Sequence, residues 1–363
     1  MMWRARHLLA ACVFLVPAAA MAQPHPSPAD EAAPEEAPPP KLVVKGFGNV
    51  DFRDEFDGPR TLEFSLGQLD LFVTSALTDN LTFLAEIVFE PGDEEKVVDV
   101  ERYQIQYSRS DLFNVALGRM HTMLGHWNHA YHHGTWFQTT AFRPEVYRFE
   151  DEGGVLPVHE LGLRMFGSRA FGRNRMEYSV SLANGRGPVA STFENFRDFN
   201  RSKAFTAWLA LTPAPLPGLK FGGVVRSDRI PPDPADPARA VSMTERIVGG
   251  FFTYQRRRTE VLGEVLALRH REEGGAGREF GTSGFYVQAS HRFGRLTPYY
   301  RFEGLDRGAD DPYYPSSADL RRHIAGLRAD PWSSAAVKVE LSRDAPDPGP
   351  SFSAATLQVA FTF

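Results

Sequence analysis

Apolar and polar side chains alternate along most of the chain after residue 41. In the segment 81–90 (LTFLAEIVFE), Leu, Phe, Ala, Ile and Phe share one face, and Thr and two Glu share the other. This period of two is typical of half-buried strands, and no comparable stripe of period 3.6 appears. The sequence therefore predicts an all-β chain. The same alternation recurs in segments 161–165, 175–184, 205–211, 285–289, 337–341 and 357–363.

The alternation predicts sixteen strands, and the segments between them differ in length. Short connections alternate with long ones, a feature typical of transmembrane β-barrels with an even strand number. We therefore predict an antiparallel transmembrane barrel over residues 41–363, with short periplasmic turns and long extracellular loops. The predicted strands lie near 42–52, 61–76, 81–90, 97–107, 112–119, 159–167, 175–184, 203–212, 218–228, 242–254, 259–269, 283–292, 296–304, 322–329, 335–343 and 352–363.

The first forty residues have a different composition. Residues 1–22 combine Arg4 and Arg6 with a short apolar stretch and the small residues of Ala20-Met21-Ala22, which predicts a cleaved secretory signal peptide. Residues 23–40 contain Pro, Ala and acidic residues with no large apolar side chain, so we expect a disordered tether. A signal followed by a barrel predicts the outer membrane of a Gram-negative bacterium.

Composition narrows the alternatives further. No apolar run reaches the roughly 18 residues of a membrane helix, and this excludes a helical membrane protein. The polar mean hydropathy of -0.31 is compatible with a barrel, because half of each strand faces a wet interior. A net charge of -5 gives no support for a nucleic-acid-binding protein, which would carry an excess of basic residues. The single Cys lies in the predicted signal peptide, so we expect neither disulfides nor a Cys-based metal site.

The C-terminal segment 357–363 (LQVAFTF) alternates to its end and closes on Phe363. It resembles the terminal strand of outer-membrane barrels, and this resemblance implies that Phe363 is a signal for the barrel-assembly machinery. In layout, residues 41–363 look like the sixteen-stranded general porins, including the phosphate-selective porin O and P type. The chain departs from the phosphate-selective pattern, which lines the pore with Lys, because it contains only six Lys.

A barrel of about sixteen strands is too wide for its side chains to fill, so the polar face of each strand is expected to line an aqueous lumen. Acids and bases are mixed among these residues, so the sequence predicts no ring of one charge. The charged residues assigned to the lumen are Asp70, Glu86, Glu90, Arg102, Glu160, Arg164, Glu177, Lys220, Arg226, Glu260, Glu264, Arg292, Arg301, Glu303, Lys338 and Glu340.

The longest connection, Met120–Val158, contains five of the eleven His, and His159 follows it directly. In general porins the loop at this place narrows the channel, so the resemblance implies a constriction here. Three interpretations stay open: a packed loop, a pH-dependent pore constriction, or a Zn, Cu or Ni site involving His129, His132 and His133. The candidate constriction residues are His121, His126, His129, His132, His133, Arg143, Glu145 and Glu150.

Two functions follow from these patterns. The first is a porin that passes small hydrophilic solutes or ions by diffusion, with no catalytic step and no cofactor. The second is an outer-membrane barrel that binds a transition metal or another ligand through the His-rich segment 121–133 and conducts little. No GxSxG element supports a hydrolase. The expected partners are outer-membrane lipid, the assembly machinery, small solutes and, by resemblance, two further copies of the chain.

Overall fold

The structure is a computed structural model, and it describes residues 41–56, 62–91, 96–132, 134–191, 196–274, 277–308, 310–314 and 318–363. The predicted signal peptide, the predicted tether and His133 lie outside these residues. Sixteen strands occur in the described ranges: β1 Lys41–Glu55, β2 Glu63–Ala76, β3 Leu81–Pro91, β4 Lys96–Ser110, β5 Phe113–His121, β6 His159–Phe171, β7 Asn174–Ala183, β8 Ala204–Thr212, β9 Leu219–Ile230, β10 Met243–Arg256, β11 Thr259–Glu272, β12 Glu279–His291, β13 Leu296–Asp306, β14 Asp319–Trp332, β15 Ala335–Asp347 and β16 Phe352–Thr362.

The strands form one closed antiparallel barrel in which every strand pairs with its neighbours in sequence. Closure joins β1 to β16 in a register that places Phe47 opposite Thr362. Phe363 adds two backbone hydrogen bonds with Gly46, at 2.9 and 3.0 Å. The predicted all-β barrel of sixteen strands is confirmed, and each predicted strand end falls within about four residues of the observed one.

The connections differ between the two rims as predicted, although three on the long-loop rim, 92–95, 273–278 and 348–351, have only four to six residues because the flanking strands are longer than predicted. Those on one rim have two to six residues, whereas those on the other rim reach 37 residues in the segment 122–158. We call this segment the lumen loop. It contains a one-turn helix, α1 (Trp127–Ala130), and a short 3₁₀ helix at Glu145–Tyr147. Among the described residues, no helix is both long and apolar enough to cross a membrane.

Successive side chains along each strand point into the barrel and away from it, as the period of two requires. Trp208 on β8 is 4% exposed inside the barrel, and its neighbour Leu209 is 53% exposed outside. The alternation is interrupted in β4, where Glu86 pairs with Arg102 but the next residue, Ile87, pairs with Val100. Glu101 is therefore the extra residue of a β-bulge. The bulge lets Glu101 and Arg102 both approach the interior, where Arg102 forms an ion pair with Glu86.

Candidate functional site

The inner surface of the barrel has two chemically different parts. We call the inner face of β8–β12 the apolar wall and the inner face of β13–β16 and β1–β7 the polar wall. The sequence predicted a polar, water-facing lumen throughout. Lys220, Arg226, Glu260 and Glu264 do lie on the inner face of this wall, but the large apolar side chains between them pack against the lumen loop, so the prediction of a water-facing surface is wrong there. The large apolar side chains of that wall are Trp208, Val224, Ile230, Met243, Ile247, Phe251, Leu262, Leu266, Leu268 and Tyr286.

The lumen loop supplies the other half of this packing. Trp127 is 1% exposed, and its ring centroid lies 4.7 Å from that of Tyr131 and 5.6 Å from that of Tyr286 on β12. The loop is thus inserted in the barrel and covers the apolar wall with its own apolar face. The buried apolar residues of the loop in this cluster are Leu124, Trp127, Val146, Tyr147, Phe149, Val155, Leu156 and Val158.

One carboxylate at the centre of the apolar wall holds the loop. Glu264 on β11 accepts hydrogen bonds from the backbone N–H groups of His126 and Trp127, both at 2.8 Å. It also accepts the hydroxyl groups of Tyr147, at 2.7 Å, and Tyr286, at 2.6 Å. The hydrogen bonds from these four donors offset part of the cost of burying the carboxylate.

Gly125 allows the loop to approach Glu264 this closely. Its φ of +96° is a conformation that favours glycine. A Cβ atom at this position would overlap the carboxylate of Glu264 and the hydroxyl of Tyr147. The carbonyl of Gly125 also accepts a hydrogen bond from the indole N–H of Trp208, at 2.9 Å. The glycine therefore joins the loop to two strands of the apolar wall.

The polar wall contacts the loop through charged side chains that bind its backbone. Lys338 donates to the carbonyls of Thr135 and Thr140, and Arg301 donates to the carbonyl of Phe142 at 2.9 Å. Glu340 accepts the N–H of Ala141 at 2.9 Å. These contacts satisfy hydrogen-bonding N–H and C=O groups of the loop's backbone, and they involve no apolar packing.

Two polar cavities lie on opposite sides of the lumen loop. A cavity of about 810 Å³ extends toward the rim of short turns, where Asn80 and Ser168 line it, and reaches Met123 and His129 of the loop. A cavity of about 520 Å³ extends toward the rim of long loops, where Glu55 and Glu63 line it. The loop forms part of the lining of both, since Arg143 and Glu145 line the second cavity. The arrangement suits a barrel with an internal constriction between two vestibules.

The structure places most of the predicted lumen residues on the inner face and pairs many of them. Lys220 lies 2.7 Å from Glu177, Arg226 lies 3.7 Å from Glu160, and Glu303 lies 3.1 Å from Arg301 and from Arg322. Arg292 is an exception: it follows the end of β12 at His291 and is exposed in a turn. The inner-face residues are Asp70, Glu86, Glu90, Arg102, Glu160, Arg164, Glu177, Lys220, Arg226, Glu260, Glu264, Arg301, Glu303, Lys338 and Glu340.

Of the charged constriction candidates, Arg143 and Glu150 are held by contacts within the lumen loop, and Glu145 is held by the barrel. Arg143 packs its guanidinium 3.2 Å from the ring centroid of Phe149. Glu145 forms an ion pair with Arg322 of the polar wall at 3.2 Å. Glu150 accepts the N–H of Val158, and burial raises its pKa to about 7.

His126 and His129 lie at and within α1, toward the apolar wall. The ring of His129 is 5.6 Å from that of Trp208, and its Nδ1 bonds to the carbonyl of Gly125 at 3.2 Å. Burial, and then the neighbouring charge of His129, lower the pKa of His126 to about 3. Burial, and then the charge of Lys220, lower the pKa of His129 to about 4. Both imidazoles are therefore neutral at pH 7.

Three other His meet on the opposite side of the loop. His121, His132 and His159 join Glu101, and one potential ligand atom from each lies within 4.8 Å of the others. We call these four buried residues the histidine cluster. The Nε2 atoms of His132 and His159 are 2.8 Å apart, and the rings of His121 and His132 stack at 3.6 Å.

The sequence grouped His129 with His132 and His133 as metal candidates, and the structure does not bring His129 into the cluster. Helix α1 ends at Ala130, and the chain turns at His132, whose φ is +28°. His132 therefore leaves the helix direction and faces β4–β6, whereas His129 faces β8. His133 lies outside the described residues, so its place is not assigned.

Sequence reasoning missed Glu101 because a strict period of two assigns Glu101 and Arg102 to opposite faces. A signal was present in the outward apolar residues of β4. Tyr103, Ile105 and Tyr107 are exposed at intervals of two, but Val100 precedes Tyr103 by three. Such an interval indicates an inserted residue, and it would have placed Glu101 inside the barrel.

Comparison with known proteins identifies the fold. No protein-family model and no curated protein matches the sequence. Solved structures do match. An anion-selective porin from Comamonas acidovorans has a TM-score of 0.64 and 11% identity, over 89% of this chain and 100% of that one.

Two further solved structures have a similar fold. OmpF of Salmonella typhi, solved with daunomycin, has a TM-score of 0.63 and 13% identity, over 89% of this chain and 98% of that one. The outer-membrane channel DcaP of Acinetobacter baumannii has a TM-score of 0.60 and 10% identity, over 89% and 97%. The chain has the porin-type barrel fold. The resemblance to sixteen-stranded outer-membrane porins is thus confirmed as a likeness of fold.

Proposed function

We propose that this protein is an outer-membrane porin, a channel through which small hydrophilic solutes or ions diffuse passively. The observation that carries this proposal is the pair of polar cavities on opposite sides of the lumen loop, each extending toward one rim. A closed barrel with water-accessible vestibules and an inserted loop suits diffusion, whereas catalysis would require a reacting group with a substrate pocket. The function needs no cofactor and no catalytic step.

Three features of the barrel support the proposal. The outer face carries exposed large apolar residues such as Phe64 and Leu66, which suit contact with lipid. The inner polar wall carries both charges in paired form, so the lumen can hold water without a large charge imbalance. Hydrogen bonds to both walls fix the lumen loop in place. The fold therefore sets the width of the lumen that the loop leaves open.

The proposal includes how the protein is exported, assembled and associated in the membrane. The signal peptide 1–22 would direct export, the tether 23–40 would precede the barrel, and the terminal strand ending at Phe363 would engage the assembly machinery of a Gram-negative outer membrane. By likeness of fold to general porins, three copies would associate. Cell fractionation and cross-linking of the membrane-embedded protein test location and copy number separately.

Planar-bilayer recording of the purified full-length protein tests the channel itself. We expect discrete conductance steps that increase with the salt conductivity of the solution. Replacing residues 123–157 by a short Gly/Ser linker should raise the step size, because the loop occupies the lumen. Shortening the connection 273–278 on the long-loop rim is the matched control and should change the conductance little. Silence of the folded barrel across salts and voltages would contradict the proposal.

A further inference from the structure

The histidine cluster lies apart from the loop's apolar packing and plays no part in the proposed diffusion. Its four members are buried, and their potential ligand atoms converge within 4.8 Å of one another. We propose that Glu101, His121, His132 and His159 form a binding site for one divalent transition-metal ion of the zinc class. This inference goes beyond the proposed channel function.

Three of the four residues are positioned by the barrel wall. His121 ends β5 and His159 begins β6, and the two are direct partners in the register of these strands. Glu101 is the bulged residue of β4, the neighbour of β5. A site built on adjacent strands is held more rigidly than one built on loops.

The fourth residue, His132, comes from the lumen loop and is oriented by an amide. The Asn128 side-chain NH₂ donates to the carbonyls of Thr122 and Val158, both at 2.8 Å. Its Oδ1 must then be the atom that faces Nδ1 of His132, at 3.0 Å. An oxygen acceptor requires a proton on that Nδ1, so a neutral His132 presents the lone pair of Nε2 to the cluster. Metal-binding His are oriented by such a second hydrogen bond in most proteins.

The spacing of the donor atoms suits a small tetrahedral ion. With metal–ligand bonds of about 2.0–2.1 Å, tetrahedral ligand atoms are separated by roughly 3.3 Å. The Nε2 atoms of His132 and His159 are 2.8 Å apart, and Nε2 of His132 lies 3.6 Å from the carboxylate of Glu101. Nε2 of His159 also contacts that carboxylate. These separations among three of the donors bracket the expected value. The donor atom of His121 lies within 4.8 Å of them, and its Nε2 is 3.4 Å from the carboxylate of Glu86, so His121 would turn toward the cluster to complete the set.

The chemistry of the donors limits the ions that fit. Three imidazoles and one carboxylate match Zn²⁺ and the related ions Co²⁺, Ni²⁺ and Cu²⁺, whereas Ca²⁺ and Mg²⁺ require a set of oxygen ligands. His121 also lines the cavity of about 810 Å³, so an ion in that cavity meets one ligand directly.

Ion binding at this place would fasten the lumen loop. His121 and His159 flank the two ends of the loop, and His132 lies within it. The φ of +28° at His132 is unfavourable for a non-glycine residue and is maintained by the surrounding contacts. An ion that joins loop and wall binds the inserted conformation in preference to a released one. Binding therefore stabilises insertion.

The test uses the purified, folded full-length barrel after treatment with a chelator and removal of the chelator. Zn²⁺ is added alone, and affinity is measured by competition with a chromophoric zinc chelator. We expect one Zn²⁺ per chain and slower proteolytic cleavage of the lumen loop when Zn²⁺ is bound. Absence of a stoichiometric site in the wild-type barrel would overturn the proposal and would leave the cluster as a hydrogen-bonded group that shares protons.

Two substitutions separate the cluster from other His of the same loop. His132→Gln should weaken Zn²⁺ binding by about 100-fold or more, because it removes one of four ligands. His129→Gln is the matched control, three residues away and outside the cluster, and should retain wild-type affinity. Equal losses in both variants would place the ion elsewhere and overturn the assignment.

A measurement on the wild-type barrel covers the case in which His132→Gln fails to fold. Co²⁺ in a tetrahedral site gives strong visible absorption bands, whereas octahedral Co²⁺ absorbs weakly. We expect tetrahedral bands that saturate at one Co²⁺ per chain and disappear on addition of Zn²⁺. Weak octahedral bands only would overturn the proposal. Bilayer conductance is measured on the same sample, so failure of the metal site and failure of the channel are distinguishable.

Discussion

The apolar wall and the polar wall hold the same lumen loop by opposite means. On the apolar wall, buried side chains of the loop such as Trp127 and Tyr147 pack into a continuous cluster with β8–β12. On the polar wall, Lys338, Arg301 and Glu340 bind backbone groups of the loop. In the described part of the chain, the apolar wall therefore buries the loop's side chains and binds its main chain only around residues 125–127, through Glu264 and Trp208, whereas the polar wall binds mainly the loop's main chain.

This difference indicates which contacts determine where the loop lies. Apolar burial contributes about 25 cal/mol per Å² and depends on fit, whereas hydrogen bonds exchanged with water contribute about 1 kcal/mol each. The apolar wall should therefore dominate the energy of insertion, and the polar wall should set the path of the segment 135–143. Both cavities border the polar wall, because water can remain there.

The largest expected effect comes from Glu264, the polar group within the apolar wall. Glu264→Ala leaves three donors without their acceptor, the N–H groups of His126 and Trp127 and the hydroxyl of Tyr286, whereas the hydroxyl of Tyr147 can still donate to the carbonyl of Leu124. Each buried donor left unsatisfied costs about 1–3 kcal/mol, so the inserted loop should be destabilised by several kcal/mol. We expect larger, noisier conductance steps and rapid proteolytic cleavage within the loop.

Glu260→Ala is the control for this substitution. Glu260 lies four residues earlier on the same strand and face, and its contact with the loop is a single hydrogen bond from Thr139 at 3.4 Å. Its loss should leave conductance and cleavage near wild-type values. If the two variants behaved alike, charge in the lumen rather than anchoring would explain the effect.

Trp127→Ala tests the packing itself. Trp127 is buried between α1 and Tyr286, so its removal should destabilise the inserted loop by about 3–5 kcal/mol. Phe137→Ala, in the same loop, removes a ring that is 52% exposed and should cost about 1 kcal/mol or less. Protease accessibility of the loop measures both. A larger effect from Phe137 would mean that the polar wall, which it faces through Phe47, determines insertion.

The sequence predicted the barrel well, because each strand has lipid on one face and lumen water on the other. These two environments impose a period of two on the side chains. All sixteen strands, the closing strand and the position of the longest connection follow from that pattern, whereas its insertion into the lumen was implied by the resemblance to general porins. The alternation failed to predict the inner face of the apolar wall, where the lumen loop takes the place of lumen water. In β11, Leu262, Leu266 and Leu268 face inward beside outward Val261 and Val265, so both faces are apolar. Such continuous apolar runs indicate a strand covered on both faces.

The histidine cluster could be predicted only in part for a different reason. His121, His132 and His159 belong to the six His between positions 121 and 159, but the sequence did not separate them from His126, His129 and His133, and their common partner Glu101 reaches the interior through a bulge. The turn at His132, which separates it from His129, depends on tertiary contacts such as the hydrogen bond to Asn128. Ligand sets that depend on register shifts and loop packing do not follow from spacing alone.

The smallest effect concerns pH and the His residues that face the apolar wall. His126 and His129 have pKa values of about 3 and about 4 in the folded barrel, below the value of about 6.5 expected for a released loop. The inserted loop then binds fewer protons, so its stability is complete above pH 6.5 and is lost as the pH falls toward 4 and 3.

Glu150 opposes this trend over part of the range. Its pKa is raised to about 7, above a value near 4.5 for the released loop, so its contribution increases as the pH falls from 7 to about 4.5 and is then constant. Insertion should therefore be most stable near pH 6.5 and weaken most steeply below pH 4.5. Conductance recorded from pH 7 to pH 3.5 should rise reversibly in the acid range.

The double variant His126→Gln, His129→Gln should strongly reduce that rise, because it removes the two imidazoles whose pKa values insertion lowers. His323→Gln is the control, since His323 lies on the outer face of β14 beside Tyr300, away from the loop. An undiminished rise in the double variant would assign the acid response to ion pairs between the loop and the polar wall, such as that of Glu145 with Arg322. The polar wall, and not the apolar wall, would then determine whether the loop is inserted.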